Sequence, residues 1–160
     1  MSWRHPSWSW VPPSQCSGTF EWIEERDGRV PHRAVMAGVD KDGGQIFVGR
    51  AWEHDDLLPV KVTPNHRCAF ASYEGRQVEK DYYQVLISDH VSWRPTSGGN
   101  IPPDAVRVGH TGDGEPLYVG RVYHEGTLTV GKVHPSHGCC YIAWSGDELK
   151  KYDYEIMVLG

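Results

Sequence analysis

Residues 105–146 read AVRVGHTGDGEPLYVGRVYHEGTLTVGKVHPSHGCCYIAWSG, and residues 34–75 read AVMAGVDKDGGQIFVGRAWEHDDLLPVKVTPNHRCAFASYEG. The two stretches align without a gap at an offset of 71, and the match extends to residues 20–88 against 91–159. Twenty of those 69 pairs are identical, where average residue usage would give roughly four. The chain is therefore an internal duplication. Five identical pairs are glycines (Gly28/Gly99, Gly38/Gly109, Gly43/Gly114, Gly49/Gly120, Gly75/Gly146) and two are prolines (Pro31/Pro102, Pro64/Pro135). These residue types mark turns, bulges and close backbone approaches, so the copies share a backbone path.

Runs of β-branched and aromatic residues ending at Gly, Pro, Asp or Asn predict strands near Gln45 to Trp52, Pro59 to Thr63, Cys68 to Tyr73 and Tyr82 to Ile87. Their counterparts fall near Pro116 to Tyr123, Val130 to His134, Cys139 to Trp144 and Tyr154 to Leu159. About five strands per copy are expected. Asp42-Gly43 and Asp113-Gly114 are hairpin signals. The fold class that follows is all-β: two homologous antiparallel units related by a pseudo-twofold axis, sharing one core in a single compact domain.

The 160 residues suffice to bury such a core, and seven Trp with eight Tyr among 39% hydrophobic residues belong to a folding chain. Eighteen Gly and eleven Pro suit short strands and tight turns. A net charge of −5 with the two signs interspersed provides no basic footprint, so nucleic acid is not an expected partner. No apolar run approaches a membrane span, and Met1 to Val11 lacks the basic-then-apolar order of a secretory signal. The expectation is a cytoplasmic protein whose Cys16, Cys68, Cys139 and Cys140 form no disulfides. Residues 1–19 lie outside the repeat and carry Trp3, Trp8 and Trp10. Such an extension is expected to pack on the body of the protein or on a second copy, which leaves a homodimer open.

Shared polar residues are harder to explain by packing than shared apolar ones, and they direct the search for function. Lys61 and Lys132 sit in apolar surroundings, LLPVKV and LTVGKV. Each is either an exposed lysine on an edge strand or a pinned ammonium that donates to hydroxyls. Asp40 precedes the turn residue Asp42. Asp-x-Asp-Gly resembles the start of a calcium loop, but the glutamate that would complete it is replaced by Val48. Asp42 is read as a turn cap, which leaves Asp40 available to a ligand. His134, His137, Cys139 and Cys140 suggest zinc, yet the first copy lacks two of these ligands, so no metal or other cofactor is expected. His66 and His137 are read as loop-ordering residues, and Cys68 and Cys139 as small buried hydrophobes. With no nucleophile elbow, phosphate-cradling loop or metalloprotease motif, the chain is not expected to be an enzyme. A non-catalytic protein-interaction or structural module is the alternative.

The second copy, with its Tyr118-Val-Gly-Arg121 and Gly131-Lys-Val-His-Pro-Ser-His137 cores, resembles the DM-nine (DM9) repeat family. The resemblance implies a cytosolic tandem-repeat β protein, a mannose-type lectin in some members that serves innate immunity by pattern recognition, with related domains in natterin-like proteins. It also implies that an Asp after an Ala-Gly motif and a Lys after a Pro-Gly motif hold the sugar. Those positions are Asp40 in Ala37-Gly-Val-Asp40 and Lys61 in Pro59-Val-Lys61. The second copy keeps Lys132 but has Thr111 in place of the Asp, so its site is expected to be the weaker one unless Asp113 substitutes. The implied partner is mannose or a mannose-containing glycan. An acceptor-only carboxylate and a donor-only ammonium would read adjacent hydroxyls, with Trp52 or Tyr123 expected over the apolar sugar face.

Overall fold

In the computed structural model, which describes residues 20–160, each repeat forms seven strands rather than about five. The first contributes β1 (Glu21–Arg26), β2 (Met36–Val39), β3 (Gln45–Glu53), β4 (Asp56–Thr63), β5 (Cys68–Tyr73), β6 (Arg76–Lys80) and β7 (Tyr82–Ile87). The second contributes β8 (Val91–Ser97), β9 (Arg107–His110), β10 (Pro116–His124), β11 (Thr127–His134), β12 (Cys139–Trp144), β13 (Asp147–Lys151) and β14 (Asp153–Leu159). All eight expected strands form. The additional ones are polar or short: β1 reads EWIEER and β6 reads RQVEK. Such segments carry little hydrophobic alternation, and their strand state comes from pairing with β7 and β5.

Every pairing is antiparallel, and the strands connect in the order β1-β7-β3-β2-β11-β12-β13-β6-β5-β4-β9-β10-β14-β8, with β3–β4 and β10–β11 also paired. Exchanging each strand for its counterpart and reversing the order reproduces the same list. The pseudo-twofold therefore passes between β6 and β13. There Asp147 faces Arg76, Gln77 N donates to Gly146 O (3.0 Å) and Glu148 N donates to Gly75 O (3.2 Å).

The repeats are not independent units, because β2 pairs with β11 and β9 pairs with β4. Arg50 and Arg121, the arginine pair identical in the two copies, staple these exchanges. Arg50 donates to Gln84 Oε1 (2.8 Å) and to Val108 O on β9 (3.2 Å), beneath the Trp22 ring at 4.1 Å. Arg121 donates to Glu155 Oε1 (2.7 Å) and to Ala37 O on β2 (3.2 Å), beneath Trp93 at 4.4 Å. Their duplication thus has a structural cause: each guanidinium reaches a backbone carbonyl of the other repeat. The shared core holds Val35, Ala37, Ile46, Val48 and Leu86 together with Val106, Val108, Val119, Val130 and Met157. Cys68, Cys139 and Cys140 are buried free thiols that pack as small hydrophobes. Burial pushes the Cys68 thiol up to about 11. Cys16 and the Trp-rich residues 1–19 lie outside the described residues.

Candidate functional site

Lys61 and Lys132 lie on β4 and β11, each flanked by strands on both sides, so their side chains have an interior face to occupy. They are 7% and 6% exposed, which excludes the exposed-edge alternative for both. Lys61 Nζ donates to Ala143 O (3.0 Å) and to Thr129 Oγ1 (3.5 Å). Lys132 Nζ donates to Ser72 O at 2.7 Å. Ser72 and Ala143 are counterparts, so each ammonium is pinned by the other repeat. An ammonium has three donors, and neither backbone bond uses more than one. Burial lowers the Lys61 pKa, while the nearby charge of Asp40 acts in the opposite direction.

Around each lysine is a pocket built from both repeats. The first, about 370 Å³, is lined from its own repeat by Asp40, Lys61, His66 and Phe70, and from the other by Trp144 at the end of β12 and Ser145 on the turn that follows. Asp40 Oδ1 accepts the Lys41 amide (2.9 Å), and Oδ2 lies 3.3 Å from His66 Nε2. Asp42, by contrast, caps the turn through Gly44 N (2.8 Å), and that bond holds its carboxyl below the usual range. The left-handed conformation of Arg67, at φ 60°, ends the short 3-10 turn Pro64–His66 that presents His66 to this carboxylate.

The second pocket, about 590 Å³, takes Thr111, Asp113, Lys132, His137 and Tyr141 from its own repeat and Tyr73 from the other. The expected site residues divide between two pockets: Asp40 with Lys61, and Thr111 and Asp113 with Lys132. Sequence reasoning missed two features. The aromatic rings contributed by the opposite repeat are Trp144 and Tyr73, whereas Trp52 and Tyr123 line neither pocket; Tyr123 is 79% exposed. Trp144 and Tyr73 are counterparts at the offset of 71, but a comparison of identities passes over an aromatic pair that differs in type. The second missed feature is Glu148, counterpart of Gln77. It lies 3.4 Å from Lys132 Nζ, with both side chains 7% exposed. The carboxylate missing at Thr111 is replaced by one that enters from β13.

The second pocket also carries a histidine network absent from the first. The His134 and His137 rings stack at 3.5 Å, His134 Nε2 lies 3.1 Å from Glu115 Oε1, and Glu115 accepts Ser136 N and Oγ (2.7 Å each). Among the described residues no group of three or more His, Cys, Asp or Glu is placed to hold a metal ion. Burial and the His137 charge lower the His134 pKa. Burial of Glu115 opposes its ionisation, but the Ser136 and His134 hydrogen bonds prevail and lower its pKa. The unfolded state therefore takes up protons first at both groups, so stability contributed by the network is complete above the ordinary histidine pKa and falls with acidification. The melting temperature is expected to drop between pH 7 and 5, and less so in His134→Thr, which installs the counterpart Thr63. Parallel pH–melting curves for the two proteins would contradict this.

Comparison with known proteins agrees with the architecture. The DM9 repeat profile matches residues 11–53 and 40–151. Natterin-3 of Thalassophryne nattereri is 31% identical over 91% of this chain and 38% of its own length, and Natterin-4 of the same fish 24% over 86% and 33%. The chain thus spans about a third of the length of these relatives. The crystal structure of the nematode sperm cell motility protein MFP2B superposes with a TM-score of 0.63 at 11% identity, over 88% of this chain and 47% of that one, which is a likeness of fold.

Proposed function

We propose, from the premise that this chain belongs to the DM9 repeat family, that it is a non-catalytic carbohydrate-binding protein whose first pocket takes mannose-type glycans. The observation that carries the reading is the Asp40–Lys61 arrangement. A buried ammonium, pinned by Ala143 O, lines one pocket with a carboxylate, and the Trp144 ring lies alongside. Adjacent hexose hydroxyls each donate and accept, which suits an acceptor-only and a donor-only group held in fixed relation. Trp144 itself packs at right angles to His124, ring centroids 4.6 Å apart, with the Lys41 and Lys61 ammonium groups 5.5 and 5.9 Å from its centroid, so the ring is held in place at the pocket wall. Two pockets per chain would raise avidity on dense glycans, as pattern recognition requires. The buried free thiols suit a reducing, cytoplasmic setting.

Titration calorimetry with methyl α-mannoside tests the site. Asp40→Asn keeps the shape and removes the charge, at a cost of roughly 1.5–3 kcal/mol for a charged hydrogen bond, about ten- to a hundredfold in affinity. The melting temperature should stay put, because Asp40 lies at the pocket rim. Lys61→Ala is the poorer probe: the side chain is buried, so its loss mixes binding with stability. Unchanged mannoside affinity in Asp40→Asn would overturn the assignment, and a glycan array without signal would favour a protein-interaction module instead.

A further inference from the structure

We infer that the second pocket is an extended site for an oligosaccharide, reading two or more linked sugar residues, while the first closes around one. The inference rests on the glycan reading of the first pocket. Every residue lining the first pocket has its counterpart, 71 positions away, in the lining of the second. The two are thus one site built twice. The second then continues onto His54 and Asp55 of the β3–β4 turn, onto Asp56 at the start of β4, and onto Gly75 and His134. Its volume is accordingly about 590 Å³ against about 370 Å³. Small-molecule sites span roughly 300–1,000 Å³, so the first lies near the lower end and the second well inside the range.

The extension coincides with one exchange between the copies, Lys41 for Gly112. Lys41 reaches from the β2–β3 turn toward two elements of the other repeat: its Nζ lies 5.5 Å from the Trp144 ring centroid and 3.9 Å from Glu125 Oε1 on the β10–β11 turn. Glu125, Gly126 and Thr127, the counterparts of His54, Asp55 and Asp56, line no part of the first pocket. Gly112 has no side chain to lay across the second pocket, and its amide holds the facing strand end by donating to Asp56 Oδ1 (2.8 Å). A ring stands there instead of an ammonium. His54 stacks on Tyr73, the counterpart of Trp144, with centroids 5.7 Å apart and planes inclined by 30°, and its side chain is still 74% exposed. The result is a ledge of two packed rings, Tyr73 within the part of the site that both pockets share and His54 beyond it. Sugar residues offer apolar ring faces to aromatic side chains and hydroxyls to polar ones, so a glycan lying along this pocket sets one residue at Lys132 and the next over His54.

The test is titration calorimetry of the full chain with methyl α-mannoside and with the α1,2-, α1,3- and α1,6-linked mannobioses. At least one mannobiose is expected to bind the second pocket roughly tenfold more tightly than methyl α-mannoside does, the scale of one added aromatic contact. Asp40→Asn should leave that gain in place, since it alters only the first pocket. His54→Asn should remove it. Asn suits the left-handed backbone at this exposed position (φ 52°), so the substitution deletes the ring and keeps the turn. No mannobiose exceeding methyl α-mannoside, or a gain that survives His54→Asn or is lost in Asp40→Asn, would overturn the inference. Methyl α-mannoside binding that depends on Asp40, without any gain from a second residue, defeats this inference alone. A mannobiose gain that depends on His54, without Asp40-dependent binding, supports this inference and defeats the assignment of the first pocket. Absence of binding by all of these sugars defeats both.

Discussion

Gly38→Ala and Gly109→Ala are each expected to leave the protein largely unfolded. A Cβ built at Gly38 would lie 1.9 Å from Leu128 O, and one at Gly109 would lie 1.9 Å from Leu57 O. Those carbonyls belong to β11 and β4, the strands against which β2 and β9 make their exchanged pairings. The obstacle is backbone in the middle of a sheet, not the flexible end of a side chain, so relief requires separating the two repeats where they interlock. A loss on the order of 4 kcal/mol or more is expected, at the extreme of single substitutions and comparable with the whole stability of many domains. Gly43→Ala and Gly114→Ala serve as controls. Both glycines have positive φ (84° and 92°) but nothing within 4 Å of a new Cβ, so only the left-handed penalty of about 1–2 kcal/mol applies. Urea denaturation of the four variants checks the contrast. A Gly38→Ala protein as stable as Gly43→Ala would show that the exchanged strands yield more easily than their geometry indicates.

Lys132→Met is expected to cost about 3–5 kcal/mol, because it strands the Glu148 carboxylate as a buried charge without its counter-ion. The same change at Lys61 should cost clearly less. Both lysines donate to counterpart carbonyls, Ser72 O and Ala143 O, so that loss is common to the two variants. They differ in the acid left behind. Asp40 is 22% exposed and hydrated at the rim, and Gln77 carries no charge. Adding Glu148→Gln to Lys132→Met should therefore restore much of the stability, whereas in the wild-type background it strands the buried Lys132 ammonium and should itself be destabilising. A double-mutant cycle by urea denaturation measures the coupling directly. Equal losses in Lys61→Met and Lys132→Met, with no rescue by Glu148→Gln, would mean that the ion pair contributes nothing beyond the lysine's own bond.

The duplication, the all-β class and the eight hydrophobic strands are legible in the chain itself, because each rests on local patterning and on an alignment of the sequence with itself. The turn role of Asp42 is equally local: its side chain bonds an amide two residues ahead. Lys61 and Lys132 stand out as duplicated charges in apolar context, but their burial does not follow from that context, since an edge strand would read the same way. Strands such as β6, with its RQVEK, adopt extended structure because a neighbour across the pseudo-twofold offers a partner, and nothing within those five residues announces it.

What only the tertiary structure decided is which copy completes which pocket. Asp40 and Lys61 are neighbours through the β2–β3 and β4 geometry of their own repeat, while Trp144 reaches them from the end of β12, more than eighty residues away in sequence, carried there by the contact of β6 with β13. Glu148 comes to Lys132 within the second repeat, through the pairings of β11 with β12 and of β12 with β13, and supplies the charge that Thr111 lacks. A residue-by-residue comparison of the repeats sees Asp replaced by Thr and Gln replaced by Glu as two separate changes. In space they are one change, a carboxylate moved from the rim of a pocket to its wall, because through-space electrostatics depends on distance and burial and not on position along the chain.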